Sequence, residues 1–411
     1  MKASAGKRIL MIVENNSYPG DARVRREATA LHEAGYQVSV ISPKDSDQRW
    51  REEVNGVSVF RYPAPPDADG VLGYLLEYGV SLIAAFFLSI IVFFTRGFDV
   101  IHAHNPPDVF VLLAILYKPF GKKFVFDHHD LSPEMYMARF EGSGKKSLFN
   151  VLVFFEKLSC KVANHVIATN ESYKAMEMER SGLPDNKVTV VRNGPDLKRL
   201  RVAEPDPELR SMGKSIFGYV GVMGYQDGVD YFLRAAHHLI HDLGRSDFYA
   251  IMMGKGDAWD SLQTLNKELD LEDHVWFTGF VTDEELFKYL SSTDICIDPD
   301  PYNPFTDRST MIKMTEYMAL GKPIVAFDLR EHRVTAQDAA VYAERNNELD
   351  FARKLADLMD DPAKRSAMGQ FGRARIEREL AWNHQQVNLI RVYNDLLPPV
   401  KKRVEAKAAA S

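Results

Sequence analysis

Twice along its length the chain alternates short, nearly continuous apolar runs with amphipathic stretches, and a polar, Pro-rich segment divides the two series. Runs of this kind suit parallel strands buried on both faces, each followed by a helix that crosses back to the next strand. In the first series the pattern predicts strands at Arg8–Val13, Gln37–Ile41, Val57–Arg61, Val100–His102, Lys123–Asp127, His165–Thr169 and Val188–Val191. Helices are expected at Ala22–Ala34, Val71–Phe94, Pro107–Tyr117, Ser147–Ala163 and Glu171–Arg180. The segment NGPDLKRLRVAEPDPELRS (193–211) holds no run that could form a strand and reads as an interdomain linker. Strands resume at Ser215–Gly221, Phe248–Met253, Val275–Thr278, Ile295–Asp298, Pro323–Phe327 and Ala340–Tyr342, and Glu348–Leu397 reads as helical. The expectation is an α/β protein with two doubly wound halves facing a cleft. Ligands in such sheets bind beyond the carboxyl ends of the strands, so the residues just after each strand are where chemistry is sought.

Composition narrows the class. A chain of 411 residues allows two or three domains. With 45% hydrophobic and 26% charged residues it is neither disordered nor collagen-like. Cys160 and Cys296 lie far apart in apolar runs, which excludes a disulfide framework or a cysteine zinc site and fits a reducing cytosol. A net charge of −6 gives no support for nucleic acid as a partner. The acidic excess falls in the C-terminal half; the near-neutral N-terminal half is the one that could face an anionic membrane. The opening MKASAGKRILMIVEN has too short an apolar run for a secretory signal and continues like a core strand. The Lys/Ala-rich last ten residues read as a frayed end.

Gly79–Phe94 (GVSLIAAFFLSIIVFF) carries no charge, but it is bounded by Glu77 and Arg96 and falls short of the about 20 residues that a bilayer span needs. Two readings stay open: a helix buried against the sheet, or one whose outer face touches a membrane. GKKSLFNVLVFFEKL (144–158), with lysines beside an apolar face, favours the second.

Several loops carry polar groups suited to a ligand. After the first strand, ENNSYPGDARVRREA has one glycine where a dinucleotide-binding loop would show G-x-G-x-x-G, which counts against NAD(P) or FAD. Gly20 could let the backbone approach a ligand, and Asp21 is either a helix cap or an acceptor contact. IHAHNPPD places His102, His104 and Asn105 after one strand, and FDHHDLSPEMY places His128, His129 and Asp130 after the next. Zinc spacing of the H-E-x-x-H kind is absent, so these read as a polar rim around a substrate, with no metal expected. In the second half, GYVGVMGYQDGVDYF (with Gly224) and MMGKGDAWDSL give glycine turns before helices, suited to a diphosphate. DPDPYNPFTDRSTMIKMTEYMALGKPIVAFD (298–328) is the most telling stretch. A helix starting near Arg308 would present the amides of Ser309 and Thr310 to phosphate, with Lys313 and Glu316 on one face. The bland alternative for that pair is a surface ion pair.

Taken together, GYQVSVISP, FDVIHAHNPPD, the HD of DHHD, VVRNGPDL, YVGVMGYQDGVD, VWFTGFV and above all TEYMALGKPIVAFD make the sequence resemble a retaining glycosyltransferase of GT-B fold, family four (glycosyl transferases group 1). The resemblance spans nearly the whole chain. It implies two Rossmann-like domains; with the linker and the apolar segments read above, the chain divides into an acceptor-binding, membrane-facing domain at 1–194, a linker at 195–211 and a nucleotide-sugar domain at 212–380. A helix and tail at 381–411 would return to the first domain. By the same resemblance His129 contacts the transferred sugar, Glu316 binds the donor ribose, and Phe280 and Val281 hold the base. Lys313 matches a lysine of the K-x-x-E-Y-M-A branch. The donor would be a nucleoside diphosphate sugar, with no cofactor and no divalent metal.

Three departures stand against the family pattern. Arg308 occupies the place of the first of two glutamates, where Asp307 is a neighbouring substitute, and Val222 and Asp227 replace an arginine and a lysine. One explanation is that Arg308 and Lys313 form the cationic clamp for the diphosphate; the other is an inactive relative. The resulting expectation is sugar transfer to a lipid-linked glycan in cell-surface polysaccharide synthesis, by a cytoplasmic protein at the inner face of the membrane. A nucleotide-sugar epimerase and a non-catalytic partner subunit are the rival readings.

Overall fold

The computed structural model describes residues 6–65, 70–140 and 142–397; the first five residues and the Lys/Ala-rich tail lie outside them. Ile9 to Ile12 of the first strand are fully buried, as a strand covered by helices on both faces requires. Around it lie β1 (Arg8–Ile12), β2 (Gln37–Lys44), β3 (Arg51–Val54), β4 (Val57–Pro63), β5 (Val100–His104), β6 (Lys123–His128), β7 (His165–Ala168) and β8 (Val188–Val190). They form one sheet in the order β3-β4-β2-β1-β5-β6-β7-β8, parallel except for β3. The second sheet contains β9 (Ser215–Val220), β10 (Phe248–Met253), β11 (Val275–Gly279), β12 (Ile295–Asp298), β13 (Ile324–Phe327) and β14 (Ala340–Ala343). Its order, β11-β10-β9-β12-β13-β14, is parallel throughout.

The helices of the first half are α1 (Ala22–Glu33), α2 (Gly70–Thr95), α3 (Val111–Tyr117), α4 (Ser132–Arg139), α5 (Lys146–Val162) and α6 (Glu171–Ser181). The linker carries α7 (Pro207–Ser211). The second half adds α8 (Val229–His241), α9 (Trp259–Glu268), α10 (Asp283–Ser292), α11 (Ile312–Ala319), α12 (Arg330–Ala336), α13 (Glu348–Met359), α14 (Pro362–Arg375) and α15 (Trp382–Leu396). Helix α15 returns to the first half. Leu389 and Tyr393 are fully buried with Ile9, Met11 and Val24, and Tyr36 Oη bonds Asn394 Oδ1 at 2.9 Å. Burying two such side chains contributes about 1.5–3 kcal/mol each.

Three local readings need correction. Strand β3 and helix α4 were not expected; β3 turns into β4 through Asn55 and Gly56, both at positive φ (50° and 80°), the hairpin signal that an Asn-Gly pair carries. By contrast, the helix expected at Val71–Phe94 is present as α2, one residue longer at each end. The helix expected near Arg308 starts later: Thr306–Arg308 is a single 3-10 turn, Ser309 is extended, and α11 begins at Ile312.

Candidate active site

The carboxyl ends of the two sheets face each other across a cleft of about 480 Å³. The first half contributes Arg23, His129, Asp130, Thr169 and Tyr173, and Asn193 comes from the segment that joins the halves. The second half contributes Tyr219–Val222, Asp227, Phe305, Ser309–Lys313 and Glu316. Hydrogen bonds bridge the cleft edge: Asn170 Nδ2 donates to the Arg308 carbonyl (2.8 Å), and Tyr173 Oη meets Ser309 Oγ (2.8 Å).

His129 sits just past β6, where the strand delivers it to the cleft, and its backbone N–H donates to Asn105 Oδ1 at 2.5 Å. Its Nε2 lies 2.9 Å from Asp127 Oδ2, an oxygen that also meets His104 Nδ1 and His102 Nε2 at 3.0 Å each. Burial alone would raise the Asp127 carboxyl, but the charge of His129 and the hydrogen bonds of the three imidazoles hold it well below the usual carboxylate range. An ionised carboxylate only accepts, so each imidazole turns an N–H toward it. That leaves His129 Nδ1 without a protein partner among the described residues. Burial, with His104 alongside, pulls His102 down to about 4, so it stays neutral near pH 7.

On the facing wall, α11 opens onto the cleft through Met311, Ile312 and Lys313, and no side chain caps its N-terminus. Its first amides are therefore open to an anion. Glu316 lies one turn further along. Burial raises its carboxyl above the ordinary value while Arg199 and Arg26 act against that, and no protein group among the described residues hydrogen-bonds it. Close backbone packing shapes this wall: at Gly254 (φ 127°) a Cβ would lie 1.9 Å from the Gly221 carbonyl oxygen, so only glycine fits.

The cationic clamp does not assemble. Arg308 Nη1 donates to the Pro304 carbonyl at 2.9 Å, and its side chain does not line the cleft. The late start of α11 accounts for this, because it leaves Arg308 in the preceding turn. Lys313 does line the cleft, but Nζ is 3.0 Å from Asp300 Oδ1 and 3.2 Å from Asp298 Oδ1. Burial works against its charge and the two aspartates outweigh it, so Lys313 stays ionised as their counter-ion. Asp307 does not replace the missing glutamate either. It faces away, accepting from the Arg330 amide (3.0 Å) and pairing with Arg345 (3.4 Å).

Other expected residues are also placed differently. Ser309 and Thr310 line the cleft ahead of the helix rather than in its first turn, with hydroxyls engaged by Tyr173 and Asn170. The Gly224 amide is taken by Asp227 Oδ2 at 2.8 Å. Phe280 is 82% exposed, Val281 packs on the core, and neither lines the cleft. Gly20 is exposed outside it. Asp21 is the cap of α1, accepting from the Arg23 and Val24 amides, and pairs with Arg23 at 3.1 Å. His104 and Asn105 are buried beneath His129, hydrogen-bonded to it, and do not line the cleft.

The sequence reading missed Arg23, Tyr173, Asp298 and Asp300. The two aspartates carried a signal, being acidic residues at a strand's carboxyl end in ICIDPDP. Two buried clusters have the residue types of a divalent-ion site: Glu27, His102, His104 and Asp127, and Asp298, Asp300 and His332. In the first, imidazole N–H groups already surround the carboxylate; in the second, Lys313 lies between the aspartates.

Comparison with known proteins fits this architecture. The sequence matches the family described as Glycosyl transferase 4-like domain over residues 20–194 and Glycosyl transferases group 1 over residues 214–361, together most of the chain. An uncharacterized glycosyltransferase of Methanocaldococcus jannaschii is 26% identical over 309 residues, covering 72% of this chain and 73% of the relative. A GDP-mannose-dependent monoacylated alpha-(1-6)-phosphatidylinositol monomannoside mannosyltransferase of Corynebacterium glutamicum is 25% identical, over 46% of this chain and 51% of that one. The solved structure of sucrose-phosphate synthase from Thermosynechococcus elongatus superposes with a TM-score of 0.78 at 19% identity, over 95% of this chain and 99% of that one. Two largely parallel α/β sheets meeting at a cleft, closed by a returning helix and matched by these families, make this chain a group 1 glycosyltransferase of GT-B fold.

Proposed function

We propose that the protein moves a sugar, with retention and without a metal ion, from a nucleoside diphosphate donor to a lipid-linked glycan. It would do so at the inner, cytoplasmic face of a membrane that is building cell-surface polysaccharide. The observation that carries this reading is the pairing across one cleft of His129, whose Nδ1 has no hydrogen-bond partner among the described residues, with the uncapped start of α11 and the carboxylate of Glu316, which no described protein group hydrogen-bonds. Glu316 accepts the two ribose hydroxyls, the α11 amides receive the diphosphate, and His129 contacts the sugar near its anomeric carbon. As the bond to the diphosphate breaks, negative charge grows on the leaving oxygen beside the helix N-terminus, where fixed dipoles stabilise it. The acceptor hydroxyl attacks from the same face and passes its proton to that oxygen. The donor and lipid-linked acceptor in the name of the mannosyltransferase relative support both substrate classes.

A thermal-shift panel of UDP-, GDP- and dTDP-sugars, with and without EDTA, tests the donor and the metal independence together. One sugar nucleotide should raise the melting temperature equally in both conditions. No shift with any donor overturns the donor site, a shift abolished by EDTA overturns the metal-free reading, and an inverted product anomer overturns retention.

A further inference from the structure

We propose that α2, α3 and α5 form a docking face that lies flat on an anionic lipid bilayer. The inference deepens the lipid-linked acceptor reading by naming the surface that holds the enzyme to the membrane. It starts from α2, which is apolar on two opposite sides. Ser81, Ala85, Ser89 and Val92 form an inner stripe, all fully buried. Ser81 Oγ bonds Glu14 Oε1 (3.2 Å), and Ser89 Oγ meets Tyr117 Oη (3.0 Å). The outer stripe is Leu76, Val80, Ile83, Phe87, Ile91 and Phe94, each between 41% and 80% exposed, recurring every three or four residues along one helix face. A water-facing stripe would carry polar groups, but α2 has no charged residue from Tyr78 to Thr95.

The stripe does not end with α2. Phe93 packs on Tyr117 and on Phe120, with ring centroids 5.4 and 5.8 Å apart, which joins α2 to the exposed Leu112, Ile115 and Leu116 of α3. Helix α5 packs on α3 and adds exposed Val151 and Phe154. The helix ends that rim this face are basic. Arg96 follows α2, Lys118 and Lys122 follow α3, and Lys145 and Lys146 open α5. The acidic residue of α5, Glu156, is fully buried and paired with Arg180 at 2.7 Å. An apolar patch rimmed by cations, whose helices α2, α3 and α5 carry no exposed carboxylate among the described residues, matches the interface of a bilayer that carries anionic headgroups.

Residues Leu76–Thr95 are long and apolar enough to cross a membrane, yet the inner stripe ties α2 to the sheet. Spanning would strip Ser81 and Ser89 of their partners and open the core, so the geometry points to a helix lying in the interface plane. The chain passes from His129 directly into α4, which packs against α5, so the docking face adjoins the wall that carries the reactive imidazole.

Flotation of the full-length protein with vesicles tests the face without donor or acceptor, so its failure is distinct from failure of sugar transfer. The protein should float with vesicles of equal parts phosphatidylglycerol and phosphatidylcholine and far less with phosphatidylcholine alone. Phe87→Glu with Ile91→Glu, both on the exposed side, should cut flotation about tenfold or more while leaving the melting temperature unchanged. Lys145→Glu with Lys146→Glu should remove the preference for anionic vesicles. Wild-type protein that stays unbound to every vesicle, or a double-glutamate variant that floats like wild type, overturns the proposal. So does a solution dimer that the double-glutamate change converts to monomer without any vesicle binding.

Discussion

Tyr393 on the returning helix donates its phenol hydrogen to His102 Nδ1 across 2.6 Å, although 291 positions separate the two residues. His102 in turn meets Asp127 Oδ2, the oxygen that holds His129. Helix α15 therefore reaches the cleft imidazole through three hydrogen bonds, all between buried groups. Because α15 follows directly on the second half, this chain of bonds ties the position of His129 to the docking of one half on the other.

Removing that phenol should show in stability first. Tyr393→Phe keeps the ring packed on Tyr36 but leaves His102 Nδ1 buried without a donor, a loss of about 1–3 kcal/mol. Chemical denaturation of the variant checks this, and an unchanged midpoint would mean that the bond contributes nothing.

Asp127 should matter more to the reaction than to the fold. Asp127→Asn replaces a carboxylate that accepts from three imidazoles by an amide that can accept from fewer of them, so His129 loses its fixed orientation. Turnover should fall about 100-fold, and adding His129→Ala should lower it little further, because both changes remove one unit. Steady-state rates of the two single variants and the double variant measure it.

Why this network was not legible in the sequence is a matter of distance. The apolar runs report burial, so thirteen of the fourteen strands could be read from them; β3 could not, because REEV is a polar edge strand whose signal lies in the turn that follows it. The histidines could be located near the carboxyl ends of β5 and β6, although His102, His104 and His128 lie within the strands rather than in loops after them, and nothing local says that His104 points inward beneath His129. Lys313 was legible as a cation near the diphosphate. Its partners, 13 and 15 positions earlier at the end of β12, become its neighbours only when α11 packs against that strand end, and they turn a free clamp into a buried counter-ion. Arg308 failed for a backbone reason, since the helix register that would have aimed it begins four residues too late.

Glu14, at the end of β1, gives a pH test of the α2 attachment. Burial, with Glu77 nearby, pushes its carboxyl up to about 7 from 4.5. The folded state thus keeps a proton that the unfolded chain has lost. The associated stability is complete below about 4.5 and disappears as pH rises through about 7. Melting temperatures should therefore drop more between pH about 5 and about 8 in wild type than in Glu14→Gln, which cannot ionise. Parallel curves would place the titration elsewhere.

The two residues of the supposed clamp should now behave differently from each other. Arg308→Ala should leave transfer within about twofold, since among the described residues the side chain bonds only the Pro304 carbonyl and a surface change of this kind is near neutral. Lys313→Ala strands Asp298 and Asp300 in the core and should cost about 3–5 kcal/mol of stability. Unfolding curves separate that loss from any change in rate; a stable Lys313→Ala protein would contradict the counter-ion role.

Glu316 offers the cleanest reading of donor binding, because no protein group among the described residues hydrogen-bonds its carboxylate. Its burial without a hydrogen-bond partner disfavours the charged form, so holding it ready for a ligand costs the fold something. Glu316→Gln relieves that cost, and the melting temperature should stay level or rise. The amide presents one acceptor oxygen in place of two, so the bidentate grip on a ribose is lost and the donor dissociation constant should rise about tenfold, in line with one charged hydrogen bond. Donor titration by calorimetry measures this. Unchanged affinity would remove Glu316 from the donor site, whereas weakened affinity together with a raised melting temperature is the signature of a group held for its ligand rather than for the fold.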